Sequence, residues 1–143
     1  GEGRGFCAGQ DLSEAVGDGA YEIEDIIEKQ YNPIVKLLRS IEKPIVCAVN
    51  GVAAGAGANI AFACDITLAA DSAKFIQSFA QIGLIPDSGG TFYLPRMIGM
   101  QNAAALMMTG DKVTSDTATN LGQIHNFVPH TELHTSATAL ANG

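Results

Sequence analysis

A single carboxylate, Asp87, stands among apolar and small residues in the stretch GLIPDSGGTFYLP. The flanking Pro86 and the pair Gly89-Gly90 predict a tight bend, from which a side chain can point away from the backbone into a cavity. Two interpretations fit a lone acid in such a bend. It can cap the N-terminus of the helix that follows, or it can transfer protons as a general acid and base.

A second candidate site uses the backbone of the stretch VNGVAAGAGANI. We expect a buried strand to end at Asn50 and, after a glycine-alanine bend, a helix to start near Ala56. The N–H groups of a first helical turn have no partner within the helix, so they can stabilise an oxyanion that forms during a reaction. Gly55 and Gly57 would let a ligand approach them, although plain helix–sheet packing explains these glycines equally well.

Two rival sites are disfavoured by their spacing. A dinucleotide site at Gly55 and Gly57 should follow its strand directly, whereas the residues NGVAA intervene. His130 and His134 flank a glutamate in HTELH, but a zinc protease needs that glutamate directly after the first histidine. We therefore predict neither a metal nor a redox cofactor.

Composition limits the partners. The 143 residues are 47% hydrophobic, which suffices for a single domain spanning 1–143. A net charge of −7 with only eight scattered Lys and Arg argues against nucleic acid. There is no apolar run of the roughly eighteen residues that a membrane span needs. Cys7, Cys47 and Cys64, each among apolar residues, are typical of reduced thiols in a cytoplasmic protein.

The elements that must position these residues alternate between helix and strand. This alternation predicts an α/β architecture with mostly parallel strand pairing. We expect an amphipathic helix over 21–41 that bends or restarts at Pro33, a strand within 43–51, a close-packed helix over 54–64, two strands within 65–77, helices over 92–98, 101–108 and 115–121, and a last strand within 123–129 before a polar tail.

The motifs FCAGQDL, KPIVCAVNGVAAGAG, CDITLAADSAKF, GLIPDSGGTFYLPRMIG and LMMTGDKV, in this order, resemble the crotonase (enoyl-CoA hydratase/isomerase) superfamily. The resemblance extends to Pro129 and implies a spiral of ββα units that assembles as a homotrimer or hexamer. It also implies an acyl-CoA thioester as the substrate, with coenzyme A belonging to the substrate rather than acting as a cofactor. Relative to that family, we expect the chain to lack the opening strands and the C-terminal helices.

The family resemblance also assigns roles to single residues. The two backbone N–H groups of the family's oxyanion hole fall on Gln10 and Ala56, where they would bind the thioester oxygen as an enolate forms. The second assignment agrees with the argument from the helix end. Residues implied to contact the substrate are Ala8, Asp11, Leu12, Gly55 and Phe79.

The hydratases of the family use two glutamates, and the matching positions are Asn59 and Phe79. Simple hydration is therefore disfavoured, and Asp87 remains as the acid/base. Family branches with an aspartate here include Δ3,Δ2-enoyl isomerases, ring-epoxide isomerases of phenylacetyl-CoA degradation, and a dehalogenase that expects Trp at Phe79. The motifs GFCAGQDL, YNP, VNGVAAGAGA and GLIPDSGGT resemble the ring-epoxide isomerases.

These observations predict an acyl-CoA isomerase. We expect Phe79, Ile82, Leu84 and Ile85 to surround Asp87 and to raise the pKa of its carboxyl group, while the N-terminus of the following helix opposes that rise. An enoyl-CoA hydratase or a fatty-acid Δ3,Δ2-isomerase is the enzymatic alternative. A non-catalytic subunit that binds coenzyme A or serves assembly is the alternative from another class.

Overall fold

Two small sheets organise the chain in the computed structural model, which describes residues 1–11 and 22–143. The strands pair in parallel, except that β5 and β6 are antiparallel, so the expected α/β architecture with mostly parallel pairing is confirmed. One sheet has the order β1 (Gly5–Cys7), β3 (Val52–Ala54), β5 (Lys74–Ile76), β6 (Lys112–Thr114), and the other has the order β2 (Val46–Val49), β4 (Ile66–Ala70), β7 (Asn126–Val128).

Helical segments connect and cover these strands. They are α1 (Ile23–Ile26), a π-helical turn (Ile27–Tyr31), α2 (Asn32–Ser40), α3 (Ala56–Ala63), a 3₁₀ turn (Ser78–Ile82), α4 (Gly90–Thr109), α5 (Ser115–Leu121), a second 3₁₀ turn (His130–Glu132) and α6 (Leu133–Asn142). Gly99, with φ 77°, interrupts α4 and separates the two helices expected there. The helical α6 replaces the expected polar tail.

The expectation of a glycine-alanine bend between Asn50 and Ala56 is wrong in one respect, because the middle of this stretch forms strand β3. After β2 the chain crosses at Gly51 from one sheet to the other, and Ala53 becomes fully buried between β1 and β5. Three small residues carry no alternating pattern, so only their pairing partners identify this strand. The Asn50 amide supports the crossing, since it donates to the carbonyls of Gly3 and Gly5 at 3.0 and 3.2 Å.

The amphipathic helix expected over 21–41 is confirmed in its described part and is interrupted at the predicted place. The π-helical turn immediately precedes α2, and Pro33 occupies the first turn of that helix. Proline has no N–H to donate to the carbonyl four residues earlier, which is tolerated at a helix start and disrupts a helix interior. The interruption lies in the segment that forms one wall of the cavity described below.

Small side chains bring α3 close to both sheets. Ala58, Ala61 and Ala63 have no exposed surface, and the rings of Phe62 and Phe75 stack beside them with centroids 5.6 Å apart. This tight packing places the N-terminus of α3 at the sheet edge, next to the loop that follows β1. Within residues 1–11 and 22–143, no helix combines the length and apolar character required to cross a membrane.

Candidate active site

A cavity of about 510 Å³ gathers segments that are distant in the sequence. It lies between the loop after β1, the helical segment from α1 to the π-helical turn, the start of α3, and the loop before α4. Its lining includes most of the predicted site residues: Ala8, Gln10, Gly55, Ala56, Phe79 and Asp87. Asp11 is exposed and is not part of the lining, and Leu12 lies outside the described residues.

Most of the cavity wall is apolar, and sequence reasoning found only part of it. The residues of this wall include Ile23, Ile26, Ile27, Phe79, Ile82 and Leu84. The three isoleucines recur at helical spacing, so the signal for a buried face was present in the sequence, but nothing local indicated that this face borders a cavity. The expectation that Ile85 belongs to the apolar surroundings of Asp87 is wrong, because Ile85 is 80% exposed and is not part of the cavity lining.

The backbone at the start of α3 presents an N–H group to the cavity. Gly55 takes φ +54° and ψ −127°, which turns the chain from β3 directly into the helix. The N–H groups of Ala58 and Asn59 donate to the Gly55 carbonyl, at 3.1 and 3.2 Å. The Ala56 N–H has no hydrogen-bond acceptor within the described part of the chain, so it is available to a ligand.

The loop carrying Gln10 approaches this helix start closely. Gly9 takes φ +87°, and a Cβ added there would lie 3.4 Å from the Ala56 nitrogen and 3.1 Å from the Ala54 carbonyl oxygen. Gly57, the second residue of α3, packs directly against the Cys7 carbonyl, where a Cβ would collide with the strand. The two segments predicted to supply oxyanion donors are therefore adjacent in space.

Asp87 lies in a tight turn between the apolar wall and α4. Ser88 with φ 49° and Gly89 with φ 80° both take left-handed conformations, as the expected bend requires. The N-cap of α4 is Gly89, and no side chain caps this helix. The helix-capping interpretation of Asp87 is therefore wrong, because the carboxyl group faces the cavity instead.

The surroundings of Asp87 act on its pKa in opposite directions. Burial raises the pKa of the carboxyl above its ordinary value of 3.8, and a hydrogen bond from the Ser88 hydroxyl, 2.8 Å from Asp87 Oδ1, lowers it. The expected rise is confirmed, with burial as its cause. The opposing contribution comes from the serine side chain, which sequence reasoning did not single out. A carboxyl group with a raised pKa in an apolar cavity is suited to proton transfer.

The rival sites gain nothing from the structure. Strand β3 does directly precede Gly55, so the objection that NGVAA separates the glycines from a strand is wrong. The position five residues after Gly55 is nevertheless Ile60, where a dinucleotide fingerprint requires a small residue. His130 and His134 are exposed, and the described residues contain no cluster of potential metal ligands.

Comparison with known proteins places the chain in a family. The family model for enoyl-CoA hydratase/isomerase matches residues 1–143. A 1,2-epoxyphenylacetyl-CoA isomerase of Escherichia coli is 46% identical over 99% of this chain and 55% of its own length. A protein of Rhodobacter capsulatus named probable enoyl-CoA hydratase is 43% identical over 90% of this chain and 50% of its own length.

The fold agrees with that assignment. A crystal structure from Mycobacterium abscessus, assigned to the enoyl-CoA hydratase/isomerases, superposes with a TM-score of 0.91 at 37% identity, over 96% of this chain and 54% of the other. The chain thus spans about half the length of the relatives it matches. The predicted crotonase-type fold and the family resemblance are confirmed, and the chain belongs to the enoyl-CoA hydratase/isomerase family.

Proposed function

We propose that this chain functions as an acyl-CoA isomerase that forms a thioester enolate. Asp87 acts as the single acid/base, and the N–H groups of Gln10 and Ala56 bind the thioester oxygen. The position of Asp87 is the main support for this assignment. Among the described residues that line the apolar cavity, it supplies the only carboxyl group, and burial raises the pKa of that group.

The arrangement suits the removal and return of one proton. Asp87 takes the proton from the carbon next to the thioester, and the electron pair moves to the carbonyl oxygen. The two amides stabilise this enolate, and losing one such donor typically costs about 2.7–4 kcal/mol of barrier. The same carboxyl then returns its proton to another carbon of the acyl group, so the reaction is an isomerisation and needs no further cofactor.

Within this class, we propose 2-(1,2-epoxy-1,2-dihydrophenyl)acetyl-CoA of phenylacetate degradation as the substrate. Support comes from the Escherichia coli relative, whose name states that activity. The isoleucine, leucine and phenylalanine side chains of the cavity offer an apolar surface suited to a six-carbon ring. The proton would leave the side-chain carbon and return to a ring carbon as the oxepin forms.

Hydration is the second candidate, because other relatives carry hydratase names. Water addition requires a group that activates water and a group that delivers a proton. Asn59 and Phe79 occupy the positions matched to the hydratase glutamates, and neither can ionise. A hydratase reaction here would have to depend on groups other than those two.

Deuterium exchange at the acyl-CoA α-carbon, followed by NMR in D₂O, tests the proposal. Wild-type exchange should be lost in Asp87→Asn and retained in Asp111→Asn, which alters an exposed carboxylate that is not part of the cavity lining. Parallel assays with the ring epoxide and with crotonyl-CoA separate oxepin formation from water addition. Hydration that survives Asp87→Asn would favour the hydratase, and binding of coenzyme A without any exchange would favour a non-catalytic subunit.

A further inference from the structure

Two buried amides link the core to the backbone of Asp87. Asn59, on α3, has no exposed surface, and Gln77, directly after β5, is 3% exposed. Gln77 Nε2 donates to Asn59 Oδ1 at 2.9 Å, and Asn59 Nδ2 donates to the Asp87 carbonyl oxygen at 2.9 Å. Neither amide is part of the cavity lining, so any effect of the pair on the site passes through the backbone of Asp87.

Core stability alone does not account for this pair. Burying an amide is unfavourable unless its polar atoms are hydrogen-bonded. Gln77 Oε1 is buried without a hydrogen-bond partner among the described residues. Apolar side chains of similar volume would fill the same space without leaving an oxygen unpartnered.

The pair ends at the turn that aims Asp87 into the cavity. The Asp87 carbonyl also accepts the Gly90 N–H at 2.8 Å, so two donors fix its direction. The next residue, Ser88, takes φ 49°, a backbone conformation that residues other than glycine rarely adopt. Asn59 packs so tightly against Gly90 that a Cβ there would collide with Asn59 Nδ2.

We propose that Asn59 is a positioning residue that orients Asp87 toward the substrate, and that Gln77 fixes the direction of the Asn59 amide. This inference rests on the proposed role of Asp87 as the acid/base. The Gln77 donor makes Asn59 Oδ1 face the core, which leaves Asn59 Nδ2 facing the turn. At the position matched to one of the hydratase glutamates, this chain thus has the amide of Asn59, which orients the carboxyl group of Asp87.

Two substitutions test the inference in the full chain. Asn59→Asp keeps the shape but replaces the donor to the Asp87 carbonyl by an oxygen. Gln77→Leu removes the donor to Asn59 Oδ1 and also the unpartnered Gln77 oxygen, so the number of unpartnered buried oxygens stays the same and the variant should fold. Thr67→Val is the matched control. Thr67 is buried on β4, and its hydroxyl donates at 2.8 Å to the Ala61 carbonyl on α3, the helix that also carries Asn59.

The α-carbon exchange rate, kcat, KM and thermal unfolding are measured for each variant. We expect kcat and the exchange rate to fall roughly 10- to 100-fold in Asn59→Asp and Gln77→Leu, because a small misplacement of a reacting group has effects of that size. KM should change by no more than about twofold. Thr67→Val should lower thermal stability and leave kcat unchanged.

If Gln77→Leu and folded Asn59→Asp both have the wild-type kcat, the inference is overturned, whatever their thermal stability. The proposed function would still stand in that case, provided that exchange depends on Asp87. If Asn59→Asp does not fold, Gln77→Leu decides alone. Absence of exchange in the wild type would instead overturn the proposed function and the inference together.

Discussion

The Ser88 hydroxyl donates a 2.8 Å hydrogen bond to Asp87 Oδ1 from a position that is almost fully buried. Ser88 therefore stabilises the ionised carboxylate in surroundings that otherwise disfavour it. Burial raises the pKa of Asp87, and the serine limits that rise. A base that must also return its proton benefits from such a balance, since either extreme would block one half of the transfer.

Ser88→Ala should raise the pKa of Asp87 further, because only the hydrogen bond that lowers it is removed. As the base must be ionised to take a proton, the acid limb of kcat/KM against pH should move to higher pH. The pH profile of α-carbon exchange measures this shift. Ser115→Ala is the control, because Ser115 is also buried and donates instead to the carbonyls of Ala70 and Ala73. An unmoved limb in Ser88→Ala would contradict the role of the hydroxyl.

Asp87→Asn should be at least as stable as the wild type at neutral pH, although exchange is lost. The folded-state pKa of Asp87 lies above its ordinary value of 3.8, so the folded protein binds its proton more tightly than the unfolded chain. The wild type then loses stability as pH rises from 3.8 through the folded pKa. Asparagine carries no charge and can still accept the Ser88 hydroxyl.

Urea unfolding across a pH series checks this expectation. The advantage of Asp87→Asn should be present in full above the folded pKa of Asp87. It should disappear below 3.8, where the carboxyl is protonated in both states. If Asp87→Asn were less stable than the wild type above the folded pKa and equally stable below 3.8, the ionised carboxylate would support the fold, contrary to the cause assigned to its raised pKa.

Gly57→Ala should separate the two predicted oxyanion donors. Its Cβ would collide with the carbonyl carbon and oxygen of Cys7, which belong to the backbone of β1 and cannot move aside as a flexible side chain can. Overpacking of this kind costs about 1–3 kcal/mol of stability. The loop that carries Gln10 should move away from Ala56, and the loss of one donor reduces kcat by about 10²- to 10³-fold.

Gly5→Ala is the control for the glycine substitution. Gly5 lies on β1, the strand that carries Cys7, and the nearest atom to an added Cβ there is the Val52 carbonyl oxygen at 4.0 Å. Both variants are compared by thermal unfolding and α-carbon exchange. Equal exchange rates in Gly57→Ala and the wild type would show that the spacing between β1 and α3 does not determine how the two N–H groups are placed for the thioester oxygen.

Local sequence signals predicted the features that depend on neighbouring residues. Pro86 and the glycines after Asp87 gave the turn, and helical spacing gave the segment that ends at α2. Thr114, directly before the helix expected over 115–121, caps α5 through its side chain, which accepts from the Thr117 N–H. In each case the conformation follows from backbone restriction or from side chains within one turn.

Features that depend on distant partners were not predictable in the same way. Strands β1, β3 and β6 have three residues each, too few for an alternating pattern, and they exist because each pairs with another short strand. The position of Asn59 was identified only as a missing glutamate. Its hydrogen bond to the Asp87 carbonyl spans 28 residues of sequence, so it emerges only when α3 and the turn pack together.

Asp65→Asn should destabilise the contacts that join α2 to the end of α3 and to β2. Asp65 joins three elements, because Oδ1 pairs with Arg39 on α2 at 2.8 Å and Oδ2 accepts the Ile45 N–H, just before β2, at 2.9 Å. Arg39 also donates to the Ala63 carbonyl at the end of α3. An exposed ion pair alone is worth about 0.2–1 kcal/mol, and the backbone hydrogen bond to the carboxylate should increase the loss.

The pH dependence identifies this contribution. The hydrogen bond from Arg39 and that from the Ile45 N–H hold the pKa of Asp65 below its ordinary value of 3.8. The stabilisation should therefore be complete above 3.8 and be lost as pH falls through the folded pKa, where wild type and Asp65→Asn converge. Asp25→Asn is the control, since the partner of Asp25 among residues 1–11 and 22–143 is Lys29, one helical turn away on the surface. An equal loss in both variants would mean that Asp65 contributes as a surface charge alone and does not join the three elements.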